Sequence, residues 1–311
     1  MKNNRKCLYQ LEHRSEQINK KKLGGKSSKF EVLKTPVKIM ASTSLGRLSQ
    51  RVAIITGASS GIGLATAKLF AKEGANVVAT GRNQQSLDKL VADINASGGQ
   101  ALAVVADITN DAQIANVVTQ AINAFGQVNI LVNNAGVLKG GAVGDDQNGG
   151  AMATWDFNMN VNARAPFSFI NQTVPHLKEQ AHSAIVNVSS VNGMQSFGGT
   201  AAYCASKSAL DMLMRCASVD LAPFGIRVNN VNPGVVITEL QKTGGMDDEA
   251  YAGFVQRSID VTHPLSASLG RCCEPHEIAE CILFLADSNT SSYVTGTTLK
   301  VDGGRGNLGA R

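Results

Sequence analysis

Aromatic side chains and long apolar runs are both scarce in this 311-residue sequence. Aromatic residues account for only 5% of the chain, whereas glycine occurs 31 times. That balance favours a tightly turned α/β chain over a sandwich with an aromatic core. No run of eighteen apolar residues occurs, so we expect no membrane span. Hydrophobic residues make up 43% of the chain and charged residues 17%, which allows a sizeable buried core.

Spacings typical of metal sites and disulfide frameworks are also absent. The five histidines fit neither H-x-H nor H-E-x-x-H, and the six cysteines form no C-x-x-C pair. We therefore predict no metal site. A disulfide framework is not expected in a chain of this length, so the cysteines favour a reducing compartment, and we expect the protein in the cytoplasm.

Positive charge is concentrated at the start of the chain. Residues 1–45 carry a net charge of +8 whereas the whole chain carries +5, so the remainder carries −3. The basic character belongs to an extension, and we expect no nucleic-acid binding by the folded body. We predict that residues 1–46 are a disordered basic extension without the apolar core of a secretory signal. Organellar import through this extension stays an alternative, as does a start at Met40.

From residue 51 onwards, short apolar strands alternate with amphipathic helices. RVAIITG, NVVAT and ALAVVAD have the character of buried strands, and a helical pattern follows each of them. The alternation predicts βαβ units on a parallel sheet. We predict a single α/β domain of the Rossmann type over residues 47–306, with a doubly wound, seven-stranded parallel sheet, and a short tail at 307–311.

Two segments of the second half differ from this alternation. The first is a long helix, predicted over residues 151–176. The second, residues 238–262, is polar, interrupted by glycine and without a strand pattern. We predict a substrate lid over about residues 238–270. Tyr251, Phe254 and Val255 either line an apolar pocket there or form the buried face of a lid helix, and the latter is the more conservative interpretation.

A glycine-rich turn, TGASSGIG at residues 56–63, follows the first strand and opens the first helix. A helix N-terminus presents unpaired N–H groups, which suit a pyrophosphate. Glycines let the backbone approach such a ligand closely, although they also occur in strand-to-helix turns for geometry alone. Because the strand, the turn and the helix occur together in the first βαβ unit, we predict that this turn binds a dinucleotide.

The glycine turn, NNAG at residues 133–136 and Y-x-x-x-K at residues 203–207 together resemble the short-chain dehydrogenase/reductase family. NPG at 232–234 and VDGG at 301–304 fit the same resemblance, which extends from about Leu48 to Arg305. It implies an oxidoreductase that transfers a hydride between a nicotinamide dinucleotide and a small-molecule carbonyl compound or secondary alcohol, and a homotetramer. The cofactor-binding residues of the predicted site are Gly57, Ser59, Ser60, Gly61, Ile62, Gly63, Arg82, Asp107, Ile108, Asn133, Ala135, Gly136, Tyr203, Lys207, Pro233, Gly234, Val236 and Thr238.

We predict NADP as the dinucleotide, with NAD as the alternative. A carboxylate at the end of the second strand would bind the ribose hydroxyl of NAD, but VVATGRN has Gly81 there, followed by Arg82. A guanidinium group can bind the 2′-phosphate of NADP with two hydrogen bonds. A second family marker of NADP, a basic residue in the glycine turn, is absent because Ser60 occupies that position. Arg82 at the start of a solvated loop is the competing interpretation.

Tyr203 and Lys207 are one helical turn apart and share a helix face. A free phenol has a pKa near 10, and a lysine charge ~4 Å away at an effective dielectric of ~20 can lower it by roughly 3 units. We therefore predict that Tyr203 is the general acid/base and that Lys207 lowers its pKa.

The family resemblance supplies the two remaining catalytic residues. It implies that Ser190 holds the substrate oxygen, with Ser189 as the less favoured serine. It also implies that Asn162 anchors a water that leads to the lysine, with Asn158 and Asn160 as competing candidates. A catalytically silent nucleotide-binding scaffold and an NAD-dependent alcohol dehydrogenase are the alternative functions.

Overall fold

The computed structural model describes residues 46–144 and 150–308. Apart from Gly46, the predicted extension at residues 1–46 lies outside these ranges. Only residues 307 and 308 of the predicted tail are described. The boundaries of the domain and of both terminal segments therefore stay predictions.

Seven parallel strands form one sheet within the described residues, which confirms the predicted fold class. Their order in the sheet is β3-β2-β1-β4-β5-β6-β7. The order reverses between β1 and β4, and in such sheets a crevice opens beyond the carboxyl ends of the strands at this point. The strands are β1 (Val52–Thr56), β2 (Asn76–Gly81), β3 (Gln100–Val105), β4 (Ile130–Asn133), β5 (Ala184–Val188), β6 (Arg227–Pro233) and β7 (Thr298–Val301).

Helices cover both faces of the sheet, because every strand-to-strand connection is a crossover. On one face the core contains Phe70, Leu87 and Ile282, and on the other face it contains Phe169 and Met214. The helices in chain order are α1 (Gly61–Lys72), α2 (Gln84–Ala96), α3 (Asp111–Phe125), α4 (Gly150–Met159), α5 (Ala165–Leu177), α6 (Ala201–Leu221), α7 (Leu240–Thr243), α8 (Asp248–Arg257), α9 (Pro264–Leu269), α10 (Pro275–Ala286) and α11 (Ser288–Ser291).

Strand β1 shows why strands covered on both faces are largely apolar. Ile54 belongs to the core on one face and Ile55 to the core on the other, and both are fully buried. Since successive side chains of a strand point to opposite faces, a strand covered on both sides favours apolar residues at each position, and β1 is apolar up to its last residue, Thr56. The polar side chains that carry chemistry are therefore concentrated where the strands end.

The long helix predicted over residues 151–176 is present, but it contains an irregular turn. Helix α4 ends at Met159, a π-helical turn follows at Asn160–Arg164, and α5 continues to Leu177. Such turns occur inside α-helices and are frequent at functional sites. The sequence pattern, which reports only amphipathic periodicity, gave no sign of it.

The predicted lid region is helical. It contains α7, α8, a second π-helical turn at Ser258–Thr262, and α9. In agreement with the sequence, the described residues form no strand between 238 and 270. Across the part of the chain that the structure describes, no helix has the length and apolarity needed to cross a membrane.

Candidate active site

A cleft of about 1050 Å³ opens at the carboxyl ends of the central strands. Its walls come from the turn after β1, the ends of β2 and β3, the loops after β4, β5 and β6, and the start of α6 and α7. Typical ligand pockets measure roughly 300–1,000 Å³, so this volume suits a large ligand or two adjacent ones.

The glycine turn forms one end of the cleft with its backbone. A Cβ atom at Gly57 would lie 2.9 Å from Cα of Ala135, and one at Gly63 would overlap the carbonyl oxygen of Gly57. Helix α1 starts at Gly61 directly behind the turn, and the side chain of Ser60 makes no capping hydrogen bond. The first N–H groups of α1 lack intrahelical acceptors and face the cleft end, which suits an anionic ligand.

Arg82 and Asp107 lie on the rim beside this turn. Both are solvent-exposed and line the cleft. The carboxylate of Asp107 accepts hydrogen bonds from the backbone N–H and the hydroxyl of Thr109, at 2.9 and 2.8 Å. These two bonds, with a smaller contribution from the charge of Arg82, lower the pKa of Asp107 below its usual value. The carboxylate is thus fixed in its ionised form within reach of a ligand.

A buried threonine holds the NNAG segment against the glycine turn. The hydroxyl oxygen of Thr56 accepts hydrogen bonds from the backbone N–H groups of Asn134 and Ala135, at 3.0 and 2.9 Å. The side chain of Asn134 donates to the carbonyl oxygen of Thr56 at 2.8 Å. Two segments 78 residues apart are therefore locked together, and neither Thr56 nor Asn134 is among the predicted site residues.

Ser190, Tyr203 and Lys207 meet in the middle of the cleft. Ser190 follows β5, whereas Tyr203 and Lys207 occupy the first two turns of α6. Each is less than a tenth exposed, and all three line the cleft. The hydroxyl of Ser190 accepts from the backbone N–H of Asn192 at 3.1 Å and lies close enough to the phenol of Tyr203 to influence its pKa.

The acidities of Tyr203 and Lys207 depart from their ordinary values mainly because both side chains are buried. Burial raises the pKa of Tyr203 to about 12, and the hydroxyl of Ser190 opposes that shift. Burial lowers the pKa of Lys207 to about 8, opposed by the carboxylate of Asp211. The expected lowering of the phenol pKa is wrong, since the pKa of Tyr203 is raised. The reason is that desolvation of the buried phenol sets the direction of the shift, while Nζ of Lys207 lies 5.9 Å from the ring centre.

Asn162 lies beneath the cleft in the first π-helical turn. It is fully buried, its Oδ1 accepts from the backbone N–H of Val137, and its Nδ2 donates to the carbonyl of Val137, each at 2.9 Å. A Cβ atom at Gly136 would lie 3.3 Å from Oδ1 of Asn162 and 3.4 Å from Nζ of Lys207. Asn162 and the lysine amine therefore both lie close to Gly136.

A ladder of buried amides supports the serine loop from below. Asn187 donates to Asn230 at 2.8 Å, and Asn230 donates to the carboxylate of Asp211 at 2.7 Å. Asn232 donates both to this carboxylate at 3.0 Å and to the carbonyl oxygen of Ser190 at 2.8 Å. The ladder fixes the backbone from which the serine hydroxyl projects.

This arrangement has a known counterpart. A family model described as enoyl-(acyl carrier protein) reductase matches residues 57–305, which is most of the chain. The chain belongs to the short-chain dehydrogenase/reductase family. As a member it is an oxidoreductase for alcohol or carbonyl substrates that uses a nicotinamide nucleotide.

Individual relatives agree with this assignment. A 2,5-dichloro-2,5-cyclohexadiene-1,4-diol dehydrogenase of Sphingobium indicum is 35% identical and aligns over 83% of this chain and 97% of its own length. A 3-oxoacyl-(acyl-carrier-protein) reductase of Thermotoga maritima is 37% identical over 83% of this chain and 98% of its own. The crystal structure of a short-chain dehydrogenase/reductase from Caenorhabditis elegans, solved with cofactor, is 37% identical, covers 85% of this chain and 97% of its own, and has a TM-score of 0.78.

In this short-chain dehydrogenase/reductase, most of the predicted site residues line the cleft. Three of them do not: Gly63, Asn133 and Asn162. Gly63 packs behind the turn, and Asn133 donates from within β4 to Asn187 at 2.9 Å. Of the competing candidates, Asn160 lines the cleft, and Asn158 is buried and bonded to the backbone of Lys139.

Sequence reasoning located part of the substrate side in the predicted lid at residues 238–270, which supplies six of the residues that line the cleft there, but it named none of those six. Tyr251, Phe254 and Val255 do not line it, so the pocket-lining alternative for these residues is wrong. The hydroxyl of Tyr251 instead donates to the carbonyl oxygen of Thr238 at 3.3 Å. No motif marks the residues that do line this side: Leu138, Lys139, Gly140, Phe157, Glu239, Leu240, Gln241, Thr243, Gly244 and Gly245.

Proposed function

We propose that the chain is an NADP(H)-dependent oxidoreductase that interconverts a small carbonyl compound and a secondary alcohol, with Tyr203 as the general acid/base. The observation that carries the proposal is the convergence of Ser190, Tyr203 and Lys207 in a cleft whose far end is a glycine turn at a helix N-terminus. The names of the two relatives, a diol dehydrogenase and a 3-oxoacyl reductase, support the substrate class.

The residues present fit a dinucleotide. The space in front of Gly57 and Gly61 would be filled by larger side chains, since a Cβ atom at Gly61 would lie 3.1 Å from Thr238. Ser59, Ser60 and Ile62 would offer backbone N–H groups to the pyrophosphate. Asp107 would accept from the adenine amino group, with Ile108 packed beside it. Pro233, Gly234, Val236 and Thr238 would bind the nicotinamide side. When bound, the cofactor supplies or accepts a hydride.

The proton chemistry belongs to the chain's own side chains. Ser190 donates a hydrogen bond to the substrate oxygen as negative charge develops on it. The phenol of Tyr203 is protonated at neutral pH, so it can give its proton to that oxygen in the reductive direction. Lys207 would contribute positive charge beneath the phenol and bind the ribose hydroxyls of the cofactor. Asn162 would connect this amine to solvent through a water.

Arg82 supports NADP over NAD. It lies on the open rim beside the turn, and β2 ends at Gly81 without a carboxylate. A Cβ atom at Gly81 would lie 3.3 Å from Oγ of Ser59, so a larger residue there would press on the glycine turn. The guanidinium of Arg82 would then bind the 2′-phosphate.

A panel of ketones, 3-oxoacyl compounds and cyclic alcohols, followed by nicotinamide absorbance with NADPH or NADP, tests the function. We expect turnover that requires Tyr203, and the matched control is the exposed Tyr293→Phe. Tight NADPH binding without turnover over the whole panel would instead support the silent scaffold. NAD-dependent turnover that Arg82→Ala leaves unchanged would support the alternative alcohol dehydrogenase.

We also infer a homotetramer in the cytoplasm. Large apolar side chains are exposed on the long helices α4, α5 and α6: Met152, Trp155, Phe157, Phe167, Met212 and Val219. Exposed apolar side chains are expected at association sites, and these support the proposed assembly. Light scattering after size exclusion would test it, and a monomer would refute it.

A further inference from the structure

His263 joins the end of the lid to the loop after β6. Its side chain is buried, with 5% exposure, at the junction of the second π-helical turn and α9. Its backbone N–H donates to the carbonyl oxygen of Ser258 at 3.1 Å, and its own carbonyl accepts from Ser266 at 2.8 Å. The backbone of this residue is thus fixed on both sides, and the imidazole has little freedom.

The imidazole supports the cofactor loop, by which we mean residues 233–238. Nε2 of His263 accepts a hydrogen bond from the backbone N–H of Val235 at 3.1 Å. A Cβ atom at Gly234 would lie 2.7 Å from the same Nε2, so the ring packs directly against the Gly234 backbone. Pro233 and Gly234 line the cleft on one side of Val235, and Val236 and Thr238 line it on the other.

These contacts require one protonation state of the ring. Nε2 accepts from a backbone N–H, so the proton resides on Nδ1, which lies 2.8 Å from the hydroxyl of Thr262 and can donate to it. A doubly protonated ring would direct an N–H group at the N–H of Val235. Burial and the charge of Arg305 lower the pKa of His263, while the carboxylate of Asp302 and the backbone bond with Ser258 oppose that shift.

We propose that His263 is a positioning residue for the dinucleotide: as the neutral Nδ1–H tautomer it holds the N–H of Val235 and so keeps the cofactor loop in its binding conformation. This role rests on the proposed function, because the loop matters only if a nicotinamide nucleotide binds there. His263 itself does not line the cleft. It acts through the loop backbone.

Titration of NADPH fluorescence with wild type, His263→Leu and His263→Gln tests the proposal. The leucine side chain leaves the N–H of Val235 without an acceptor. Because an unsatisfied buried donor is unfavourable, we expect the variant to bind NADPH about tenfold more weakly. Gln carries a carbonyl oxygen near the position of Nε2, and we expect it to stay within about threefold of wild type. Val118→Ala, a core substitution in α3, controls for general loss of stability.

A pH series separates positioning from packing. From about pH 7 to about pH 5, wild type should lose affinity more steeply than His263→Gln, because glutamine does not titrate. Titration of the 2′-phosphate contributes equally to both proteins.

The possible outcomes discriminate between the two proposals. Wild type that binds neither NADPH nor NADH refutes the proposed function. If wild type binds NADPH and His263→Leu binds it with the same affinity, the positioning role alone is refuted. This holds even if the leucine variant has a lower melting temperature. Equal weakening by Leu and Gln, or parallel pH slopes, also refutes it.

Discussion

The two ends of the cleft are formed by different kinds of group: backbone at one end and buried side chains at the other. The nucleotide end, residues 57–63 with Arg82 and Asp107, is largely backbone, and its two charged side chains are exposed. The proposed catalytic end, Ser190, Tyr203 and Lys207, consists of side chains that are almost completely buried. Ligand binding at the first end therefore depends on the space around the backbone. The protonation of the side chains at the second end depends on how far they are removed from water. Substitutions should reveal this difference in which quantity they change.

The largest effect is expected at the catalytic end. Tyr203→Phe removes the proton donor and keeps the ring, so turnover should fall about 10²- to 10⁴-fold, the usual contribution of a general acid. The dissociation constant of NADPH should change little. Steady-state kinetics and a fluorescence titration of the same preparation measure both. Retained turnover would mean that another group delivers the proton.

The next effect is expected behind the nucleotide turn. Gly63→Ala forces a methyl group onto the carbonyl of Gly57, and overpacking of this kind destabilises a protein by about 1–3 kcal/mol. The melting temperature should drop by roughly 2–4 °C per kcal/mol, and NADPH affinity should drop with it. Gly253→Ala is the matched control, since Gly253 lies in α8 with no atom within 4 Å of its Cβ position. If the Gly63→Ala protein kept both its melting temperature and its affinity for NADPH, the view that space limits this end of the cleft would be contradicted.

A smaller and more selective effect is expected on the rim. Arg82→Ala should weaken NADPH binding about tenfold, by loss of one charge-assisted contact that is exposed to solvent. NADH binding should hardly change, because it lacks the 2′-phosphate. Parallel calorimetric titrations with both nucleotides give the ratio, and equal losses would remove Arg82 from the phosphate site.

The mildest change concerns pH. Lys207, with a pKa of about 8, is charged below that pH and neutral above it, whereas Tyr203 stays protonated up to about 12. Ketone reduction should therefore decline as pH rises through about 8, by about half between pH 7 and pH 8. The Lys207→Met variant should reduce the ketone more slowly at every pH and should not show this decline near pH 8. A wild-type profile that rises over the same range would show that a deprotonated group limits the reaction.

The fold and the order of motifs could be predicted because both depend on local pattern. Apolar runs such as VAIIT mark strands covered on both faces, and the glycine turn has a fixed place between β1 and α1. The serine, tyrosine and lysine were found through family spacing. Their positions relative to β5 and α6 then followed from the parallel sheet.

Burial and irregular backbone could not be predicted in the same way. The direction of the Tyr203 pKa depends on how completely the ring is desolvated, which sequence spacing does not report. The roles of Thr56 and Asn134 depend on a contact between segments 78 residues apart. Substrate-side residues such as Gln241 lie on a short helix whose sequence has no motif.

The π-helical turn between α4 and α5 has a geometric consequence for the whole site. Such a turn holds one more residue than a regular helical turn, and each residue of an α-helix corresponds to a rotation of about 100°. Deleting one residue from 160–164 would make the helix continuous while turning all of α4 about its axis relative to the sheet. Phe157 would swing out of the wall of the cleft, although every core contact of α5 remained. The angular setting of the substrate side thus depends on a single surplus amino acid in the helix.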